Sequence, residues 1–562
     1  MEEKIGTELN IALDTAEYLR EKSLDLNTGY DKDLSQWRLI IRYIGDIEAL
    51  AMDYSVEYTE LLGGFAIVLI DESVIEEFAS DSRVIYIEKP KLFFQARTTI
   101  NGFVESCMNV PFYEYGLKGK GITVAIIDSG IDIYNSVFMD DNGSVTKIVG
   151  IWDQTLYGNP PRGYNVGTFY SREDINAALE SDEKLFFSED ISGHGTAVAG
   201  IVVSCTPEVD LLIIKLDTYD REQSDTISLM LGIDFAVRYS IDNELPMVIN
   251  LSYGNNSGDH NGNSVLERYI DYVSGISKIT FVVGAGNDGV SGRHVQINME
   301  NESFYRRDFL IPEGEKGINI QVWRNYQDQF HMFLQTPRGD VIGPFNNLNV
   351  LMKYSINDMD IRVLNSSPSP INIKQETYIS IIPYNEFIES GIWSIIINPQ
   401  SIIDGRVDAW LPVEGSTNTN IRFLTPSEST TLTIPSTTDK VITVGAYDSN
   451  SMTYASFSGR GNTVDGIVKP DIVAPGVDID VPAVGGGYTL VSGTSFAAPF
   501  VSSAAAMLME YGIVEGNDMF LYGEKVKSYI ISGARQILGI SSYPDIRVGW
   551  GALCVDESIP KE

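Results

Sequence analysis

Several runs in this chain are apolar at nearly every position. They include the start of GITVAIIDSGID (residues 121–132), VDLLIIKL (209–216), PMVINLSYG (246–254) and ITFVVGAGNDG (279–289). A strand without alternation is buried on both faces, as in a parallel sheet covered by helices. Segments of helical spacing separate these runs, for example DTISLMLGIDFAVRYSI (225–241). The pattern predicts an α/β domain, in which functional residues gather beyond the carboxyl ends of strands. Asp128, Ser252 and Asn287 occupy such ends.

Two other textures flank and interrupt this one. Residues 1–36 are polar and acidic, with a helical pattern around Ile11 to Leu19. WRLIIRYI (37–44), GGFAIVLI (63–70) and RVIYIEKP (83–90) read as strands, with DIEALAMDY (46–54) and DESVIEEFASD (71–81) as helices. That is a small α+β domain. From about His294 to Ser427 the chain alternates in short runs such as INIQVW, QFHMFLQT, ETYISIIPY and GIWSIIINP, divided by Pro, Gly and Asn. This predicts an all-β insert, a sandwich or jelly roll. The α/β texture resumes at KVITVGAYD (440–448).

Composition narrows the function. At roughly 150 residues per domain, 562 residues suggest about three or four domains. The net charge is −37, from 40 basic and 77 acidic residues. Such a field repels nucleic acid and anionic membranes, so neither is an expected partner. No uninterrupted apolar stretch of about 18 residues suggests a membrane span. The start, MEEKIGTELNIALDTAEYL, lacks the apolar core of a signal peptide. Cys107, Cys205 and Cys554 have neither metal-ligand spacing nor a disulfide pattern, and Cys205 reads as a buried thiol. No metal or other cofactor is expected.

Candidate chemistry lies in three segments. AIIDSG places Asp128 at a strand end, SGHGTAVAG places His194 before a small-residue helix, and SGTSFAAPF places Ser495 before another. Taken singly, each has a plain structural reading. His194 suits a tight turn, Asp128 and Ser495 suit caps, and Asn287 before Asp288 and Gly289 suits a turn. Taken together they suit nucleophilic acyl transfer. His194 would take the Ser495 proton and return it to the leaving amine, while Asp128 holds the imidazole in one tautomer. Asn287 would donate to the oxyanion, aided by the helix start at Ser495. Gly193 and Gly195 would leave room around the imidazole.

The segments AIIDSGID, SGHGTAVAGIV, LSYG, VVGAGNDG and VSGTSFAAPFVSSAAAML resemble the subtilisin-like serine proteases, the subtilases. That resemblance implies that Asp128, His194 and Ser495 form a triad and that Asn287 is an oxyanion donor. It also implies two backbone segments that bind a peptide as an added strand, Ser252, Tyr253 and Gly254 with Gly284, Ala285 and Gly286. The domains expected are a ferredoxin-like prodomain (1–95), a subtilisin-like parallel-sheet catalytic domain in two parts (96–293 and 429–562), and the jelly-roll-like β insert (294–428) between them. The insert accounts for 135 of the 301 positions from His194 to Ser495. The prodomain tail KLFFQ (91–95) would lie in the substrate cleft as the protein's own partner. Autocleavage would fall between Gln95 and Ala96.

Two departures stand out. AGIVVSCTPEVDLLIIK passes from helix to strand with almost no loop, so the calcium loop that many subtilases carry there looks absent. Ala197 stands where many members have a second histidine. The domain set resembles the clostridial Csp germination proteases. That implies limited proteolysis of a cortex-lytic hydrolase zymogen in the bacterial spore. A plugged scaffold or signalling protein and a general cytoplasmic protease remain as alternatives.

Overall fold

The computed structural model describes residues 4–95, 116–140, 143, 145–181, 188–218, 223–300, 304–417 and 419–560. Contacts divide the chain into two compact units. One comprises Met1–Leu92, Asn255–Val265 and Ser291–Thr431; the other comprises Phe93–Gly254, Leu266–Val290 and Leu432–Glu562.

In the first unit the N-terminal segment forms an antiparallel sheet in the order Glu57–Leu61, Phe65–Asp71, Gln36–Tyr43, Val84–Glu88. With the helices Ile47–Tyr54 and Ile75–Ser80 this is a β-α-β-β-α-β, ferredoxin-like arrangement. Asp46 begins the first helix by accepting from the Ala49 N–H, and Ser55 ends it in a left-handed conformation. Trp37, Leu39, Ile41, Val68, Ile75 and Phe78 fill the core. The strand Glu57–Leu61 lies at the sheet edge and is largely polar, which is why hydrophobic patterning passes over it. The helical pattern near Ile11 is split into Thr7–Asp14 and Glu17–Arg20, because Thr15 is extended.

The insert consists of two antiparallel sheets. One runs His294–Asn298, Arg406–Trp410, Ile318–Asn325, Lys374–Pro383, Met359–Asn365, Leu351–Ile356; the other runs Val341–Ile342, Gln329–Gln335, Gly391–Ser401, Tyr305–Ile311, Arg422–Phe423. Ile320, Ile379, Ile381, Met332, Trp393 and Ile395 pack between the two, which makes a β sandwich. Strand Lys374–Pro383 departs from simple alternation and is buried on both faces. Its Tyr378 and Ile382, with Leu364, belong to the core of the N-terminal domain. That domain therefore packs on the outer face of the six-stranded sheet.

The second unit is built on a nine-stranded sheet. Its path runs Thr453–Tyr454, Ile442–Asp448, Ile279–Gly284, Met247–Leu251, Thr123–Asp128, Asp210–Lys215, Ile148–Asp153, Thr168–Ser171, with Ile472–Pro475 also beside Ile442–Asp448. The central pairings are parallel. Helices His194–Cys205 and Thr494–Met509 join one core with these strands. Small residues allow the close approach. A Cβ on Gly200 would sit 2.2 Å from Pro482, and one on Gly195 would sit 2.2 Å from the Gly130 carbonyl oxygen. The helical stretch Thr494–Val514 is 21 residues long and apolar enough to cross a bilayer by length and composition, yet it is mostly buried in this core.

Candidate active site

The strand Thr123–Asp128 delivers Asp128, fully buried, at its carboxyl end. The helix His194–Cys205 begins on His194. The two side chains meet, with His194 Nδ1 2.7 Å from Asp128 Oδ1. An N–H at Nδ1 leaves Nε2 as the free basic nitrogen. Nε2 is buried and has no hydrogen-bond partner among the described residues. Phe496 and Tyr253 flank the ring, at 5.2 and 6.4 Å between centroids.

Ser495 is the second residue of helix Thr494–Met509. Its Oγ donates to the Ser252 carbonyl at 3.1 Å, and Ser252 Oγ donates back to the Ser495 carbonyl at 3.3 Å. Asn250 Nδ2 donates to Ser252 Oγ and Ser502 Oγ donates to Asn250 Oδ1, so the strand end and the serine helix are tied together. Asn287 is held through its oxygen. Thr494 donates to Asn287 Oδ1 from both N–H and Oγ1, each at 3.1 Å. The Gly286 N–H in turn donates to Thr494 Oγ1. Asn287 Nδ2 is left buried with no partner among the described residues. A donor held ready and unpaired suits an oxygen that gains negative charge during reaction.

The glycines beside His194 serve purposes other than room for the imidazole. Gly193 has φ +76°, in the left-handed region. Gly195 is kept small by the Gly130 backbone.

A strand runs beside the Ser252 segment. Leu92–Gln95 forms the middle of a three-stranded sheet between Gln223–Asp225 and Tyr253–Gly254. Gln95 pairs with Tyr253 and Phe94 with Gly254, antiparallel. Ser252 thus stands one position beyond the paired Gln95. Gln95 Nε2 donates to Ser192 Oγ at 3.2 Å and to Tyr253 Oη at 3.0 Å. Ala96, on the far side of the expected cleavage point, lies outside the described residues.

The second edge of this peptide sheet therefore differs from the expected one. Gln223–Asp225 supplies it, not Gly284, Ala285 and Gly286. They are bonded inside the fold: Gly284 pairs with Val444 in the parallel sheet, the Ala285 N–H donates to the Val444 carbonyl, the Ala285 carbonyl accepts from the Thr433 N–H, and the Gly286 N–H donates to Thr494 Oγ1. QSD is short and polar and carries no motif, so nothing in the sequence marks it as an edge. Thr494 was also unmarked, although its place beside Ser495 in SGTS was a usable signal.

Only Thr206 to Val209 separates the His194 helix from strand Asp210–Lys215. Among the described residues no group of three or more His, Cys, Asp or Glu is arranged to hold a metal ion. Burial pushes the Cys205 thiol up to about 12, so it is no nucleophile near neutral pH. Cys554 is buried and free, and Cys107 lies outside the described residues.

The profile of the subtilase family matches residues 119–306 and 349–551, more than half of the chain, and the chain belongs to that family of subtilisin-like serine proteases. The profile of the Csp protease B prodomain matches residues 3–91, which makes the chain a Csp-like member. The structure of the Clostridium perfringens CspB protease agrees: it is 35% identical, with a TM-score of 0.74, over 80% of this chain and 95% of that one. Serine protease AprX of Bacillus subtilis is 41% identical over 103 residues, 15% of this chain and 23% of AprX. The PII-type proteinase of Lactococcus lactis subsp. cremoris is 22% identical over 528 residues, 81% of this chain and 26% of that protein. The chain thus spans about a quarter of the length of these curated relatives.

Proposed function

We propose that this protein is an autoprocessed serine endopeptidase that activates a cortex-lytic hydrolase zymogen by limited proteolysis during spore germination. The observation that carries the protease reading is the buried Asp128–His194 pair, packed on Phe496 next to Ser495, together with the unpaired Asn287 amide and the chain's own strand Leu92–Gln95 paired to Tyr253–Gly254. The germination role rests on the Csp-like prodomain and on similarity to the C. perfringens CspB protease. In that role the protein would act in the bacterial spore.

In this reading Ser495 turns from the Ser252 carbonyl to His194 Nε2 and gives up its proton as Oγ attacks the peptide carbonyl. Asn287 Nδ2 donates to the oxyanion. His194, steadied by Asp128, returns the proton to the leaving amine, and water then hydrolyses the acyl-enzyme by the reverse steps.

The test is N-terminal sequencing of the purified wild type and of Ser495→Ala, followed by incubation of each with the hydrolase zymogen. A new terminus at Ala96 in the wild type alone supports processing after Gln95. A terminus at Arg97 or later would overturn cleavage after Gln95. An uncut wild type, or a cut Ser495→Ala, would sink the protease reading. A specific observation favours the scaffold alternative, because the cleft holds the chain's own strand and Ser495 Oγ is bonded to Ser252. A Ser495→Ala protein that still supports germination would establish that alternative.

A further inference from the structure

The helix that begins on His194 has an unusual start. Its N-cap position is Gly193, which has no side chain to satisfy the first N–H groups. A buried carboxylate three residues upstream does so instead. Asp190 Oδ1 accepts from the Gly193 N–H at 2.9 Å, and Oδ2 accepts from the Thr196 N–H at 2.8 Å.

The same carboxylate reaches the other member of the pair. Ser129 directly follows Asp128, and its N–H donates to Asp128 Oδ1 at 2.7 Å. Ser129 Oγ donates to Asp190 Oδ1 at 2.8 Å and accepts from the Gly195 N–H at 3.0 Å. Thr196 Oγ1 donates to Asp190 Oδ2 at 2.7 Å and accepts from the Asp132 N–H at 3.0 Å. Asp190 is thus joined to the turn after Asp128 and to the start of the His194 helix. These two segments come from different parts of the chain, and their spacing decides whether His194 Nδ1 meets Asp128 Oδ1.

We infer that Asp190 is a positioning residue for catalysis. It locks Asp128 and His194 in register. Four donors face it at 2.7–2.9 Å. Asparagine cannot replace it, because its amide would turn N–H groups toward donors and would remove the charge.

This inference rests on the reading of the protein as an active, self-processing protease. The test is the first-order rate of self-processing of the full chain after cell-free synthesis. Wild type, Asp190→Asn, Asp190→Glu and Thr196→Val are compared, with folding checked by circular dichroism. Asp190→Asn should slow processing about tenfold to a hundredfold per folded molecule, as small misplacements of reacting groups do. Asp190→Glu restores a carboxylate that only accepts hydrogen bonds, so it should recover part of that rate. Thr196→Val removes one hydroxyl donor and keeps the carboxylate, so it should slow the rate less. Equal rates for wild type and Asp190→Asn would overturn the inference. So would a loss that merely follows the folded fraction, which is what a simple helix cap predicts. A wild type that does not process itself would count against the protease reading instead.

Discussion

At the scale of single residues the site divides into groups that react and groups that hold them. Asn287 shows both halves. Its oxygen is taken up by two bonds from Thr494, and that fixes its Nδ2 as the free end. Asn287→Leu removes the donor and should lower kcat about 10²–10³-fold with little change in KM. Thr494→Val keeps the backbone N–H bond to Asn287 and removes the hydroxyl one, so the amide is held less firmly and a smaller loss of about tenfold in kcat is expected. Steady-state cleavage of a peptide carrying residues 91–100 measures both. A Thr494→Val enzyme as slow as Asn287→Leu would show that fixing the amide matters as much as having it. Asp128, His194, Ser495 and Asn287 stand out in the sequence because each lies in a short, distinctive segment. Thr494 is marked only by its place beside Ser495, and Asp190 is not marked at all, because their partners lie across the fold; Thr494 and Asn287 are 207 positions apart.

At the scale of elements the strand Leu92–Gln95 is informative. Its pairing requires that Tyr253–Gly254 stay flat and close to the core. Gly254 allows this, since a Cβ there would lie 2.3 Å from Thr433 Oγ1 and 2.8 Å from its Cβ. Gly254→Ala should therefore push the edge outward and destabilise the protein by about 1–3 kcal/mol. It should also slow self-processing. Thr433→Gly removes both clashing atoms and should restore much of the loss in the double variant. Melting temperature and processing rate of the three variants test this, and additive effects would rule the clash out as the cause. The parallel strands were legible as long apolar runs, because burial on both faces leaves no choice of residue. The edge strands Glu57–Leu61 and Gln223–Asp225 were not: the first is largely exposed and needs little hydrophobicity, and the second is three polar residues joined to the sheet by backbone pairing. Lys374–Pro383 misled in the other direction. Its second buried face is created by the N-terminal domain, and no pattern within the strand says what will cover it.

At the scale of the whole molecule the largest unforeseen feature is the contact between the N-terminal domain and the insert, far apart in sequence but one compact unit. Apolar packing through Tyr378, Ile382 and Leu364 is only part of it. Glu8, Glu88 and Lys89 from the N-terminal domain are buried there, as is Glu376 from the insert. Gln321 of the insert donates to Glu8, and Lys91 pairs with Glu88 at 3.3 Å. Burial pushes the Glu376 carboxyl from its ordinary 4.5 up to about 7; Lys91 opposes this shift, while Glu8 and Glu88 reinforce it. The sign follows from linkage. A carboxyl raised in the folded state holds a proton that the unfolded chain releases, so stability is greatest below about pH 4.5 for this group and declines as pH rises through about 7. Glu376→Gln keeps a polar side chain for the hydrogen bond with Thr7 and cannot ionise. On a Ser495→Ala background, where the chain stays uncut, it should flatten the fall in melting temperature between about pH 5 and pH 8. It should also raise the value at the upper end by about 2–4 °C, the shift expected for roughly 1 kcal/mol in a domain of this size. Calorimetry at the two pH values decides. Parallel pH dependences with and without Glu376 would mean that its proton is not coupled to the joining of prodomain and insert.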